Sequence, residues 1–376
     1  MLEIIFWFCI LFITYTYFGY PLLLKIILLF KKNEVQKANL KPSVTLIITA
    51  HNEEKRIINK LKNTLSLNYP RDKLQIIVAS DSSMDNTNKI VKSFESKGIT
   101  LIRSHERRGK EYAQKLAVKK AKGNIFVFSD VATILKKDAL ENIVSNFNDP
   151  TVGCVSSEDR IFSDDGTITG ENFYVKYEML LRRLESKVNS LVGLSGSFFA
   201  ARREVCQNWA EDLQSDFNTL LNSIKIGLRG ISDPGSIGYY KNVRSEKQEF
   251  NRKIRTVLRG ISVFMNNIGM LNPLKYGFFS IQILSHKLFR WLIPFALISA
   301  FFTNLLLVRQ TFYASVFISQ LMFYTLAIIA FNYKVLIANK IFKIPFFFTI
   351  TNLSIFIAWY RYLIGQRLVS WEPSNR

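Results

Sequence analysis

Cysteine and histidine are scarce in this chain of 376 residues, with three of each. Cys9, Cys154 and Cys206 have no CxxC or metal-ligand spacing. That argues against a zinc site and a disulfide framework, and it fits a reducing cytosol. His51, His105 and His286 belong to no evident Ser/His/Asp pattern, so a serine-type triad has no support. No GxGxxG follows the first strand-like run, which counts against a dinucleotide-dependent oxidoreductase. The long apolar runs carry almost no charge, whereas a transporter keeps functional polar groups inside its spans.

What is abundant is apolar, aromatic and basic. Hydrophobic residues make up 48% and include 31 Phe, and they concentrate in residues 3–30 and from about 288 onward. Runs of about 20 apolar residues span a bilayer. Residues 3–30 read as a transmembrane anchor, with Lys31 and Lys32 marking its cytoplasmic end. A signal peptide fits less well, because the apolar stretch is too long, no basic residue precedes it and no small-x-small site follows. Three more spans are expected at about 290–308, 312–332 and 342–360. The formal net charge of +21 suits a bilayer surface or phosphate-bearing substrates better than nucleic acid once spans are present.

Between the apolar ends, strand-like and helix-like segments alternate. VTLIITA (44–50), LQIIVAS (74–80), a short run near 100–103 and IFVFS (125–129) read as buried strands. Helices are expected after HNEE, from Asp85 to about Lys97 with Gly98 as its stop, and from about Lys110 to Lys122. Asn52 is expected to cap the first of these, and Ile57, Ile58, Leu61 and Leu65 form its apolar stripe. Such alternation predicts an α/β fold with a mostly parallel, doubly wound sheet. Further on, the sequence suggests a helix at 137–147, a strand at 152–157, a helix from about Gly170 to Val188, a strand at 195–204 and a helix from Asp216 that stops near Gly227–Gly230. Residues 241–259 hold seven basic and two acidic residues. Phe250, Ile254, Val257, Leu258 and Ile261 follow at helical spacing, so a basic amphipathic helix at the membrane interface is expected, with interfacial character extending to about 290.

Three strand ends carry distinctive polar groups: HNEE (51–54), SDSSMDNT (80–87) and SDVAT (129–133). In a parallel sheet these ends converge, and ligands bind there. Asp130 has two readings, a turn or helix-cap residue or a ligand for a metal that bridges phosphates. Gly109-Lys110 opens a helix, where a lysine suits a phosphate.

These motifs, in this order, resemble glycosyltransferase family 2 enzymes of GT-A fold, which are Rossmann-like. The likeness is to the membrane-bound branch typified by cellulose synthase and poly-β-1,6-N-acetylglucosamine synthase. The resemblance implies a cytosolic GT-A domain at 42–240 behind an anchor at 1–32, interface helices at 241–289 and a transmembrane region at 290–376. It implies that His51, Asn52, Glu53, Asp81, Lys110 and Asp130 bind a nucleotide-diphosphate sugar. Ser195, Gly196 and Arg255 would then lie on the acceptor and diphosphate side, with Asp216 as catalytic base. The cofactor implied is Mg2+ or Mn2+ on Asp130, and the partners are the sugar donor, a lipid-linked or glycan acceptor and the bilayer. The implied activity is inverting transfer in cell-envelope glycan synthesis at the plasma membrane. Two departures stand out. The DxD slot reads Asp130-Val131-Ala132, without its second Asp. Of the QxxRW pattern of processive enzymes only Arg255 matches, since Arg252 and Thr256 fill the Gln and Trp slots. A non-catalytic, nucleotide-binding scaffold is therefore the competing expectation.

Overall fold

The computed structural model describes residues 1–162, 173–241 and 246–368. The expected helix start at Gly170, residues 242–245 of the basic stretch and the tail beyond 368 lie outside them.

A long apolar helix, α1 (Leu2–Phe30), comes first. The central region then runs β1 (Val44–Ala50), α2 (Glu54–Leu65), β2 (Leu74–Ser80), α3 (Thr87–Lys92), β3 (Ile99–Arg103), α4 (Lys110–Lys120), β4 (Ile125–Asp130) and β5 (Ile134–Leu135). It continues through α5 (Ala139–Ser145), β6 (Val152–Phe162), α6 (Phe173–Val188), β7 (Phe198–Arg202), α7 (Ser215–Lys225) and β8 (Arg229–Lys241). The chain returns to long helices with α8 (Glu246–Asn266), α9 (Phe278–Leu306), α10 (Thr311–Asn332) and α11 (Lys340–Leu363).

Every residue of β1 is buried, as expected for a strand covered on both faces. Leu46, Ile48 and Ala50 point to one core, with Ile57 and Leu61 of α2 and Val91 of α3. Ile47 points to the other, with Ala113 and Ala117 of α4 and Leu220 of α7. That second core is closed by Phe128, stacked 4.7 Å from Phe199 and 4.7 Å from Trp209.

The sheet order is β3-β2-β1-β4-β7-β6-β8-β5. β1 pairs in parallel with β2 and β4, and β2 with β3, so one half is doubly wound as expected. The other half is mixed. β7 runs antiparallel between β4 and β6, and β8 is parallel to β6. Strand β8 was not expected, because Asp233-Pro234-Gly235 interrupts its apolar pattern. Buried Asp233 holds that break together by accepting from Lys37 Nζ (2.7 Å), Ser236 Oγ (2.5 Å) and Asn146 Nδ2 (3.2 Å).

Among the described residues four helices, α1, α9, α10 and α11, are long and apolar enough to cross a membrane. The second begins at Phe278, ahead of the expected start near 290, although it contains His286, Lys287 and Arg290. Carboxylates of α6 answer part of that charge. His286 Nδ1 lies 2.7 Å from Glu185 Oε1, Tyr20 Oη donates to the same oxygen (2.7 Å), and Arg290 pairs with Glu178. Ile254, Leu258 and Ile261 of α8 pack with Phe217 of α7, Trp291 of α9, and Ile355 and Ala358 of α11. The sheet domain is thereby seated on the long helices through the residue that follows Asp216.

Candidate active site

The parallel strands β1, β2 and β4 end on one side of the sheet, where an α/β fold binds ligands. His51 is buried, its Nδ1 2.6 Å from the carbonyl oxygen of Asp81. Asn52, expected as a helix cap, adopts φ 50° instead, a left-handed conformation that asparagine tolerates. Its Oδ1 accepts from the Met84 amide (2.9 Å) and so joins the loops after β1 and β2. The cap position falls to Glu53. Glu53 is buried and accepts from Arg56 Nε (2.7 Å). Burial raises its carboxyl above the ordinary range, with Arg56 opposing. Asp81, expected at the base or ribose, is fully buried. Its two oxygens accept from the amides of Arg108 and Gly109, each at 3.0 Å, and so fix the loop leading into α4.

That loop turns at Gly109, whose φ of 102° requires glycine, and delivers Lys110. Lys110 Nζ donates to Asp130 Oδ1 (2.6 Å) and to the carbonyl oxygen of Gly196 (3.0 Å). The Asp130 amide donates to the carbonyl oxygen of Ser197 (3.0 Å), joining the end of β4 to segment 195–197. At Gly196 a Cβ would lie 2.5 Å from Asp216 Oδ2, so glycine is what lets the Asp216 carboxylate lie against this backbone. Asp216 is 9% exposed in the first turn of α7. Its Oδ1 accepts from the Phe217 amide (2.7 Å) and its Oδ2 from Gln214 Nε2 (3.1 Å). Burial raises its carboxyl, against the charges of Lys110 and Arg259. Lys110, Asp130, Gly196 and Asp216 thus form one constellation. Ser195, expected on the acceptor side, is buried, with its Oγ donating to Asp159 Oδ2 (2.6 Å).

Four contributors escaped the sequence reading. Arg259 of α8 reaches Glu111 of α4 (2.5 Å), whose Oε1 also accepts from the Ser215 amide (3.4 Å). The expected Arg255 is half-buried one turn earlier on the same helix. Asp159 gathers the hydroxyls of Ser195 and Ser197, each at 2.6 Å. Fully buried Lys60 donates to Ser129 Oγ and the carbonyl oxygen of Thr133, both at 2.6 Å, and so clasps the turn that carries Asp130. A signal for Lys60 was present, since it falls in the stripe Ile57-Lys60-Leu61-Thr64 at core-facing spacing.

Burial pushes the Lys60 ammonium down to about 7, the Asp130 charge pulling the other way. An unfolded lysine titrates near 10.4. Between about 7 and that value the unfolded chain holds a proton that the folded chain lacks, so stability rises with pH through this window. Thermal unfolding in detergent should show that rise for the native chain and a flatter dependence for Lys60→Met. An equal rise in both would contradict the burial of this ammonium.

Asp130 is the carboxylate available to a divalent ion, with its side chain 23% exposed. Val131 is in the core and Ala132 offers no side-chain donor. Among the described residues no three His, Cys, Asp or Glu side chains form a metal cage. This donor set does not suit a resident structural metal. It does fit Mg2+ or Mn2+ that takes one oxygen from the protein and the others from a diphosphate and water. A cleft of about 360 Å3 lined by Leu40, Asn124, Arg202 and Arg203 lies where β4 begins, the opposite end from these groups.

The family described as Glycosyl transferase family 2 matches residues 45–209. A probable glycosyltransferase, YdaM of Bacillus subtilis, is 27% identical over 44% of this chain and 42% of its own length. A poly-β-1,6-N-acetyl-D-glucosamine synthase of Staphylococcus epidermidis is 25% identical over 50% of this chain and 46% of its own. The match therefore spans less than half the length of these relatives. Among solved structures, the mannosyltransferase PcManGT of Pyrobaculum calidifontis, in complex with GDP-Man and Mn2+, superposes with a TM-score of 0.74 at 24% identity. That overlay covers 98% of this chain and 100% of the other, and it supports the GT-A fold.

Proposed function

We propose, from a glycosyltransferase family 2 domain at residues 45–209, that the chain is a membrane-bound inverting glycosyltransferase. It moves a sugar from a nucleotide-diphosphate sugar to a lipid-linked or polysaccharide acceptor in cell-envelope glycan synthesis. The observation that carries this reading is the convergence of Lys110 and Asp130 with a buried carboxylate, Asp216, across Gly196.

The acceptor hydroxyl attacks the anomeric carbon opposite the leaving diphosphate. One C–O bond forms as the other breaks, and the configuration inverts. The hydroxyl proton passes to Asp216, whose burial makes it a stronger base than an exposed aspartate. The bonding electrons leave with the nucleoside diphosphate, and Lys110 is held where it can meet that growing charge. Mg2+ or Mn2+, when bound through Asp130, would supply further neutralisation of the diphosphate. His51, Asn52 and Glu53 form the loop that takes the nucleoside. Asp81 supports the Lys110 loop from beneath. The bilayer is the partner of the four apolar helices. Lys31 and Lys32 after the first support a cytoplasmic catalytic side for a multi-pass plasma-membrane protein.

Purified protein offered UDP- and GDP-sugars, with and without Mn2+ and with membrane lipid as acceptor, should release nucleoside diphosphate from one donor and give a product of inverted anomeric configuration by NMR. Nucleotide binding without release from any donor would favour the scaffold reading, for which Ala132 in place of a second carboxylate is the motive.

A further inference from the structure

Two cations meet at Gly193, three residues before Gly196. Arg182 Nη2 of α6 donates to the Gly193 carbonyl oxygen (3.1 Å). A Cβ on Gly193 would lie 3.3 Å from Lys287 Nζ of α9. Lys287 also lies over the ring of Phe217, 5.3 Å from its centroid, beside Asp216. Among the described residues neither Lys287 nor Arg182 pairs with a carboxylate. The nearby acids are engaged elsewhere: Glu178 with Arg290, and Glu185 with His286 and Tyr20. The charges of Glu178 and Glu185 act on Lys287 against those of Arg290 and Arg182, but among the described residues neither carboxylate reaches it as a direct ion-pair partner.

Its position adds a second constraint. Lys287 lies in the first part of the span Phe278–Leu306. Arg182 is on α6, which packs against α1 through Leu181 and Leu184 on Tyr20 and Leu24. Ionisable groups at such a boundary are costly and call for a partner. An anion arriving from the bilayer would answer both cations, and its far side would face Asp216 across Phe217.

We propose that Lys287 and Arg182 bind the phosphate of the acceptor lipid, a phosphate that links the lipid chain to the hydroxyl-bearing group offered to Asp216. This rests on the reading of Asp216 as the base.

The test uses the full chain in neutral-lipid nanodiscs, with lipid retention read by native mass spectrometry. The probes are phosphatidylglycerol (phosphate ahead of hydroxyls), galactosyl diacylglycerol (hydroxyls, no phosphate) and inorganic phosphate as competitor. Phosphatidylglycerol should be retained over the neutral glycolipid. Lys287→Met and Arg182→Gln should each lower its retention about tenfold, as for loss of a hydrogen bond to a charged group, and Lys287→Arg should restore it. Lys275→Met, which removes an exposed charge elsewhere, should change nothing. Unchanged retention in both variants, an equal loss in Lys275→Met, or displacement by free phosphate as readily as by lipid would each overturn the proposal. Nucleotide binding on the same samples separates the two readings, since its absence in the native chain strikes the glycosyltransferase reading and leaves the lipid result standing.

Discussion

Asp216→Asn should lower transfer by about 10²- to 10⁴-fold, the range for removing a positioned general base, while nucleotide affinity stays as it was. The substitution keeps the size of the side chain beside Gly196, so the close approach there survives. It removes a group that burial raises in basicity and that, among the described residues, has no cation in direct contact. Nucleoside diphosphate release, measured beside a calorimetric nucleotide titration, checks both halves. Near-native transfer by Asp216→Asn would move the base elsewhere, and a parallel loss of nucleotide affinity would make Asp216 a binding group.

Lys110→Met should have the second-largest effect, through a different quantity. Lys110 Nζ touches both the Asp130 carboxylate and the Gly196 carbonyl oxygen. Its removal takes a preorganised cation from the place where the leaving diphosphate develops charge, an effect worth about 10²- to 10³-fold in kcat. Nucleotide diphosphate affinity should fall as well, whereas nucleoside affinity should not. Lys110→Arg should recover part of the binding and less of the rate, because a planar guanidinium cannot repeat both contacts. Diphosphate affinity equal to that of the native chain would show that Lys110 serves only to brace Asp130.

The half of the sheet built from β1, β2 and β4 was legible because a strand buried on both faces leaves a continuous apolar run, and its polar loop residues follow at once. Asp216 was named through the resemblance alone, and it lies against Gly196. What failed to show was charge used inside the protein. Arg259 and Glu111 sit on helices rich in charge, where a basic or acidic residue reads as solvated until the packing of α8 against α7 is known. Arg255 drew notice because it filled a motif slot, whereas Arg259, one turn further on, matches no motif. The helix that holds the second span begins at Phe278, ahead of the apolar run expected from about 290. His286 and Arg290 look interfacial until Glu185 and Glu178 of α6 are brought beside them. Strand β8 was hidden by Pro234 and its glycines, since its register depends on pairing with β6 and not on its own pattern.

The most direct single measurement is the pH dependence of kcat/KM for transfer, which reports the ionisation of the free enzyme's essential groups. A buried Asp216 acting as base predicts an acid limb whose midpoint lies above the value of about 3.9 for an exposed aspartate, with full activity on its alkaline side. A profile that stays flat down to the ordinary aspartate range, in protein shown to remain folded there, would contradict Asp216 as the base.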